Sequence, residues 1–300
     1  MSKSVFLELI EVKSLTASII PFIIGTLFTW YNYHTIDPVS AVLFFVAMLL
    51  FDASVNVLDN FNHFLQAKDV DEYRNETNIV GRAGLSKPVV LSILISFVGV
   101  AGLIGLYLVY RTGLPLLWMG MFCFAVGFLY TMGPKPIADT PFGEFFSGVT
   151  MGFVITLIVV YINTYSVFAW DWASVGKVFL VPLPNTLWIA NIMLDNNTCD
   201  LDEDIKNDRH TIVWYLGRKN SVNLFLGLNV LAYVAIVAAV VLKIAPWTTL
   251  LALLSIPLVY KQAMLFAAKQ VKTETFICSV KILVIGGLAM SLSYWLGIII

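Results

Sequence analysis

Charge is scarce in this chain. Asp, Glu, Lys and Arg make up 12% of its 300 residues, about half of the roughly 25% usual in soluble domains. Cysteine is scarcer still. Cys123, Cys199 and Cys278 lie far apart, have no metal-ligand spacing, and their odd number argues against a disulfide framework. There is no basic tract and the formal net charge is -1, so nothing points to a nucleic-acid partner. No secretory leader is legible, because Met1 to Lys13 is polar and the span after it lacks a small-residue cleavage pattern. What is abundant is apolar surface. Hydrophobic residues reach 59%, aromatics 14%, and the mean hydropathy is +0.86. The composition is that of a polytopic all-α membrane protein embedded in a lipid bilayer.

Crossing a bilayer takes about 20 apolar residues. Nine runs come near this length: 15–31, 39–58, 89–110, 116–132, 145–165, 178–194, 222–242, 247–265 and 277–298. The first and sixth are the shortest. With the N-terminus in the cytoplasm, fifteen of the 18 Lys and Arg residues fall in inside segments, and only Arg111, Lys177 and Lys243 fall outside. The positive-inside rule selects that orientation. Trp170, Trp172 and Trp247 lie near the outer ends, where interfacial tryptophan is expected. The expectation is one multi-pass domain in the cell membrane, with its polar site facing the cytoplasm.

Two inside segments hold most of the polar chemistry. In the later one, 191–217, lie Asp195, Asp200, Asp202, Glu203, Asp204 and Asp208, six of the 19 acidic residues. Asn196, Asp200, Asp204 and Asp208 recur every fourth residue, which on a helix places them on one face. Like charges so placed repel, so a divalent cation is the expected partner. Magnesium takes carboxylate oxygens together with substrate phosphates. The earlier segment follows the second run. Asp52, Asn56, Asp59, Asn60 and His63 are spaced by three and four and are expected to share a helical face. Ionisable groups within a span are functional candidates by default. Asp69 is a further candidate oxygen ligand. His63 reads equally as a ligand, as a diphosphate hydrogen-bond donor or as a helix-end residue. Arg74, Arg82, Lys87, Lys206 and Arg209 supply the positive charge a diphosphate needs.

A third inside loop reads YTMGPKPIADTPFGEFFSG. Gly133, Pro134 and Pro136 end the fourth span and stiffen the turn. Lys135 is its lone base. Tyr130 reads as an interface anchor or as a site residue. Gly143 and Glu144 open the fifth span.

Taken together, these stretches resemble the UbiA superfamily of membrane prenyltransferases, and within it the naphthoate branch. The branch pattern NN-x-RD-x-x-x-D, then G-[KR]-x-T-L, is met by Asn196, Asn197, Asp200, Asp204, Arg209 and Thr211, with Cys199 for the arginine and Asp208 for the glycine. The pattern Y-T-x-G-P-x-P-I with a later G-E is met from Tyr130 to Ile137 and at Gly143 and Glu144. Thr16, Pro21 and Gly25 fit the start of the first span, and Lys13 stands where the family has arginine. The first family motif, N-x-x-N-D-x-x-D, is altered to Asn56, Asp59, Asn60 and His63. The reversed pair turns Asp59 about 100° around the helix from Asn60.

The resemblance implies a nine-helix bundle and magnesium-dependent transfer of a polyprenyl group from its diphosphate to 1,4-dihydroxy-2-naphthoate. Carbon dioxide would be lost and a demethylmenaquinone formed. It implies Asp59, Asp200 and Asp204 as catalytic, and Asp59, Asn60, His63, Asp69, Asn196, Asp200 and Asp204 around Mg2+. Substrate contacts would come from Lys13, Asn56, Asn60, His63, Arg74, Tyr130, Lys135, Asn196, Asn197, Lys206 and Arg209. The alternatives are another aromatic acceptor, a relative that binds lipid diphosphate or quinone without transfer, and a transporter. The transporter fits poorly, since the acidic clusters lie at one membrane face rather than at the midplane.

Overall fold

The computed structural model describes residues 1–66 and 75–300. Among these residues all regular structure is helical. The helices group into two compact units, Met1–Ser18 with Pro38–Pro134, and Ile19–Asp37 with Lys135–Ile300.

In the first unit a short α1 (Lys3–Leu9) is capped by Ser2, whose hydroxyl accepts from the Val5 amide. The long α3 (Pro38–Gln66) opens with proline, which costs nothing where the amide has no helical partner. Its 29 residues span about 44 Å, well beyond the roughly 30 Å of a hydrocarbon layer. It therefore runs two turns past the predicted end at residue 58 and carries Asp59, Asn60 and His63 beyond the apolar run. A single turn, α4 (Ile79–Arg82), packs with α1 against that extension through Leu9, Ile10, Val57, Phe61, Ile79 and Val80. The spans α5 (Lys87–Thr112) and α6 (Leu114–Thr131) are joined by Gly113 alone, at φ 97, a conformation that favours glycine. Phe51 of α3 stacks on Phe124 of α6 at 4.1 Å.

The second unit takes up α2 (Thr16–Tyr33) from residue 19 onward. Helix α7 (Gly143–Gly148), a π-helical stretch (Val149–Val154) and α8 (Ile155–Thr164) form one continuous 22-residue rod. Next come α9 (Trp172–Leu180) and α10 (Leu183–Cys199), bent against each other by 56°. The remainder is α11 (Leu201–Lys206), α12 (Ile212–Val241), a 3-10 stretch (Trp247–Ser255) leading into α13 (Ile256–Ala268), and α14 (Lys272–Ile299). Helix α10 lies in the middle. A Cβ at Gly152 would come within 2.5 Å of the Thr186 backbone, and one at Gly286 within 2.5 Å of the Trp188 ring. These glycines let the π-helical stretch and α14 approach α10 closely, and so set where its C-terminal end emerges.

Nine spans were expected. Among the described residues seven helices are long and apolar enough to cross a membrane, or eight if the bent α9–α10 pair counts as one. The two that do not qualify as simple spans are the first and sixth, the shortest runs in the sequence. Helix α2 has 18 residues with Pro21 inside and a polar end, and the sixth is broken ahead of Pro184.

Candidate active site

The acidic segment 191–217 does not form one helical face as its spacing predicts. Helix α10 stops at Cys199, and Asp200 takes a non-helical φ/ψ of -88 and 3. A new helix, α11, starts directly after it. Asp202, Glu203 and Asp204 fill its first turn, where carboxylates meet the positive end of the helix dipole. Continuing α10 would have stacked those charges at its negative end, which accounts for the break. Asp208 lies beyond α11 at φ 58, with its side chain 93% exposed. The related pattern has glycine here. A left-handed residue explains that preference, and Asp is among the few others that tolerate it.

The break turns two carboxylates to different partners. Asp204 is 1% exposed, and its Oδ1 accepts from Arg209 Nη1 at 2.9 Å. Arg209 also donates through Nε to Asp139 at 2.5 Å, and the His210 amide donates to the Asp139 carbonyl. Arg209 thus ties the third loop to α11. Asp200 instead meets the Lys272 ammonium at 2.5 Å, at the start of α14. Burial pushes the Asp204 pKa up to about 6, with Arg209 opposing the rise and Asp200 and Asp139 adding to it. Burial also works against the Arg209 charge, but Asp204 and Asp139 outweigh it and hold its pKa above the ordinary value. Asn197 is buried and donates to Glu144 Oε1 at 2.7 Å. The second oxygens of Asp204 and Glu144 are buried without a hydrogen-bond partner. Asn196 is half-buried beside this group, and Lys206 and Lys135 are exposed.

The first cluster, in the other unit, is built differently. Its residues lie on the unbroken helix α3, where their spacing keeps them on one face within about 100° as expected, but they meet different partners. Asp52 accepts from the Ser18 hydroxyl. Asn56 donates to the Ile10 carbonyl at 3.0 Å and to Ser14 at 2.9 Å. Asn60 donates to Glu11 Oε1 at 3.1 Å. Asp59 and His63, one turn apart, approach each other at 3.7 Å. Both asparagines spend their N–H groups on the 9–14 stretch, which leaves their carbonyl oxygens as acceptors. Lys13 is exposed on that stretch and Tyr130 is half-buried near the end of α6. Asp69 and Arg74 lie outside the described residues.

Three residues were missed as site candidates: Asp139, Glu144 and Lys272. The first two lie in the third-loop pattern, which was legible. Lys272 is 72 residues from Asp200, with no local signal to connect them.

Among the described residues no three His, Cys, Asp or Glu side chains gather closely enough to cage a metal. Magnesium usually keeps several waters and takes one or two carboxylates plus substrate phosphates. Asp200, half-buried, and the partnerless Asp204 Oδ2 are oxygens of this stretch that could serve as such donors.

Comparison with known proteins agrees with this chemistry. The UbiA prenyltransferase family matches residues 18–295. The chain is 32% identical over 245 residues, 80% of its length and 75% of the relative's, to the 1,4-dihydroxy-2-naphthoate octaprenyltransferase of Bacillus subtilis (strain 168). Its fold matches that of a UbiA homologue from Aeropyrum pernix K1, with TM-score 0.69 and 17% identity over 92% of this chain and 96% of that one. It also matches a UbiA homologue from Archaeoglobus fulgidus bound to DMAPP and Mg2+, with TM-score 0.60 and 11% identity over 95% and 99%.

Proposed function

Because the chain belongs to the UbiA prenyltransferase family, a family of membrane transferases, we propose that it moves a polyprenyl group from polyprenyl diphosphate to 1,4-dihydroxy-2-naphthoate. The observation that carries this reading is the Asp200–Asp204 pair, neutralised by Lys272 and Arg209. The B. subtilis relative supports the naphthoate as acceptor. The A. fulgidus homologue, solved with Mg2+ and DMAPP, supports a magnesium-assisted diphosphate.

Asp200 and Asp204, with Asn196, would hold Mg2+, which would supply positive charge to the departing diphosphate. Arg209 fixes Asp204 so that its free oxygen keeps one direction. Glu144 fixes Asn197 in the same way. Lys135 and Lys206 are exposed and add positive charge for the departing diphosphate, the point at which charge develops and stabilisation counts most. In the first cluster we assign Asn56 and Asn60 carbonyls, Asp59 and His63 to polar contacts with substrate, and Lys13 and Tyr130 to its approach.

The allylic carbon, cation-like as it separates, is attacked by the ring carbon that bears the carboxylate. That carbon loses carbon dioxide. The balance is polyprenyl diphosphate plus dihydroxynaphthoate giving diphosphate, carbon dioxide and a demethylmenaquinol, the reduced form of demethylmenaquinone. Apolar spans would shelter the isoprenoid tail, at about 25 cal/mol per Å² removed from water, and exclude water from the cation. With the positive-inside orientation, this chemistry takes place at the cytoplasmic face of the cell membrane.

The test is a transfer assay on detergent-purified protein with naphthoate, a long-chain prenyl diphosphate and magnesium. Prenylated, decarboxylated product is expected. Intact, folded protein that yields none at several chain lengths overturns the naphthoate assignment. The second reading, a different aromatic acceptor, is favoured by His63 standing where the family has aspartate. The mass of the product distinguishes the two.

A further inference from the structure

The two carboxylates of the acidic pair are held by cations of different character. Arg209 is three-quarters buried and bonded to Asp204 and Asp139 at once. Lys272 is 53% exposed and rests on Asp200, which is 13% exposed. One cation is locked in place and the other can leave without disturbing the core.

Nothing local requires Lys272 where it is. It is the first residue of α14, where the helix dipole disfavours positive charge. The loop before it is already fastened, since Lys269 donates to both oxygens of Glu274 at 2.6 Å. Half-exposed ion pairs add little to stability, roughly 0–1 kcal/mol. Charge accounting gives the pair another role. Asp139, Asp200 and Asp204 outnumber Arg209 and Lys272, and Asp195 and Glu144 lie close enough to feel the Asp200 and Asp204 charges. A divalent cation offsets that acidic excess where a diphosphate would approach. A metal using Asp200 Oδ2 must first displace the ammonium that sits on it.

We propose that Lys272 is a placeholder cation. It covers Asp200 in the metal-free protein, a divalent metal displaces it, and its freed ammonium then binds the diphosphate of the prenyl donor. The inference rests on the functional reading above. Lys272 is thereby a substrate-binding residue and the source of a competition between lysine and metal for one carboxylate.

The test uses the full chain in detergent and two readouts. The first is Mn2+ titration followed by EPR of the free ion, with no substrate present. Lys272→Gln is expected to bind Mn2+ about 2- to 5-fold more tightly than the wild type, the range that corresponds to removing a half-exposed ion pair. The second is transfer at saturating magnesium. There Lys272→Gln is expected to raise the KM for prenyl diphosphate about tenfold or more, as loss of a charge-assisted hydrogen bond implies, with kcat changed far less. Lys272→Arg should recover most of the KM effect. A thermal midpoint near wild type confirms that both variants are folded. A wild type that binds Mn2+ while Lys272→Gln binds it no more tightly overturns the placeholder role. An unchanged KM overturns the diphosphate contact. A wild type that neither binds Mn2+ nor transfers contradicts the functional reading itself, and the inference falls with it.

Discussion

The two polar clusters both set side-chain oxygens at the end of an apolar helix, by opposite means. The cluster of 52–63 is held by neutral amides. Asn56 and Asn60 bond to the 9–14 stretch, and Asp59 and His63 approach each other at 3.7 Å with side chains 39% and 53% exposed. The cluster of 139–209 is held by charge. A buried carboxylate, a two-handed arginine and a lysine from a distant helix balance one another. Amide hydrogen bonds are worth about 0.5–1.5 kcal/mol each, and bonds to charged groups roughly twice that. Removing a partner from the second cluster also leaves a buried charge behind. The second cluster should therefore fail sharply when altered, and the first gradually.

The largest effect is expected at Asp200. Asp200→Ala should lower transfer by about 10²–10³-fold, the usual cost of removing a group that stabilises developing charge, with little change in thermal midpoint. Arg209→Ala should lose activity and fold stability together, by about 3–5 kcal/mol, because it strands Asp204 in a buried place. Thermal unfolding beside the transfer assay separates the two variants.

A pH series sharpens the contrast. The Asp204 pKa stands at about 6 in the folded chain, above its unfolded value of about 3.9. The folded chain thus holds this proton more tightly than the unfolded one. The stability from this group is complete below the unfolded pKa and is lost as pH rises through 6. In EDTA the thermal midpoint should rise as pH falls from 7 to 5, and Asp204→Asn should flatten that trend. A smaller effect is expected in the first cluster, where Asn60→Ala should cost about 1 kcal/mol and less than tenfold in activity. The smallest is Asp208→Gly. It relieves a left-handed residue worth roughly 1 kcal/mol, so it should raise the thermal midpoint slightly and leave transfer unchanged.

Much of this was legible in the chain because membrane helices announce themselves by length and hydropathy, and because the acidic and asparagine residues sit in short local patterns. The fifth span does start at Gly143, and Gly133 does follow the end of α6. What was not legible depends on tertiary geometry. Four-residue spacing at 196–208 suggested one face, but electrostatics at a helix end broke the helix at Asp200. The spacing of 52–63 does place its residues on one face of α3, but it does not tell which of them the 9–14 stretch engages. The Lys272–Asp200 and Arg209–Asp139 pairs join residues some seventy positions apart, and no periodicity encodes such a meeting.

On the proposed function, the Asp200–Asp204 cluster binds the donor's diphosphate through a divalent ion. Equilibrium binding of a prenyl diphosphate to wild-type protein and to Asp200→Ala, each with magnesium and with EDTA, tests it most directly. Binding that needs magnesium in the wild type and is lost in Asp200→Ala is the predicted result. Equal, magnesium-independent binding to both proteins would contradict it.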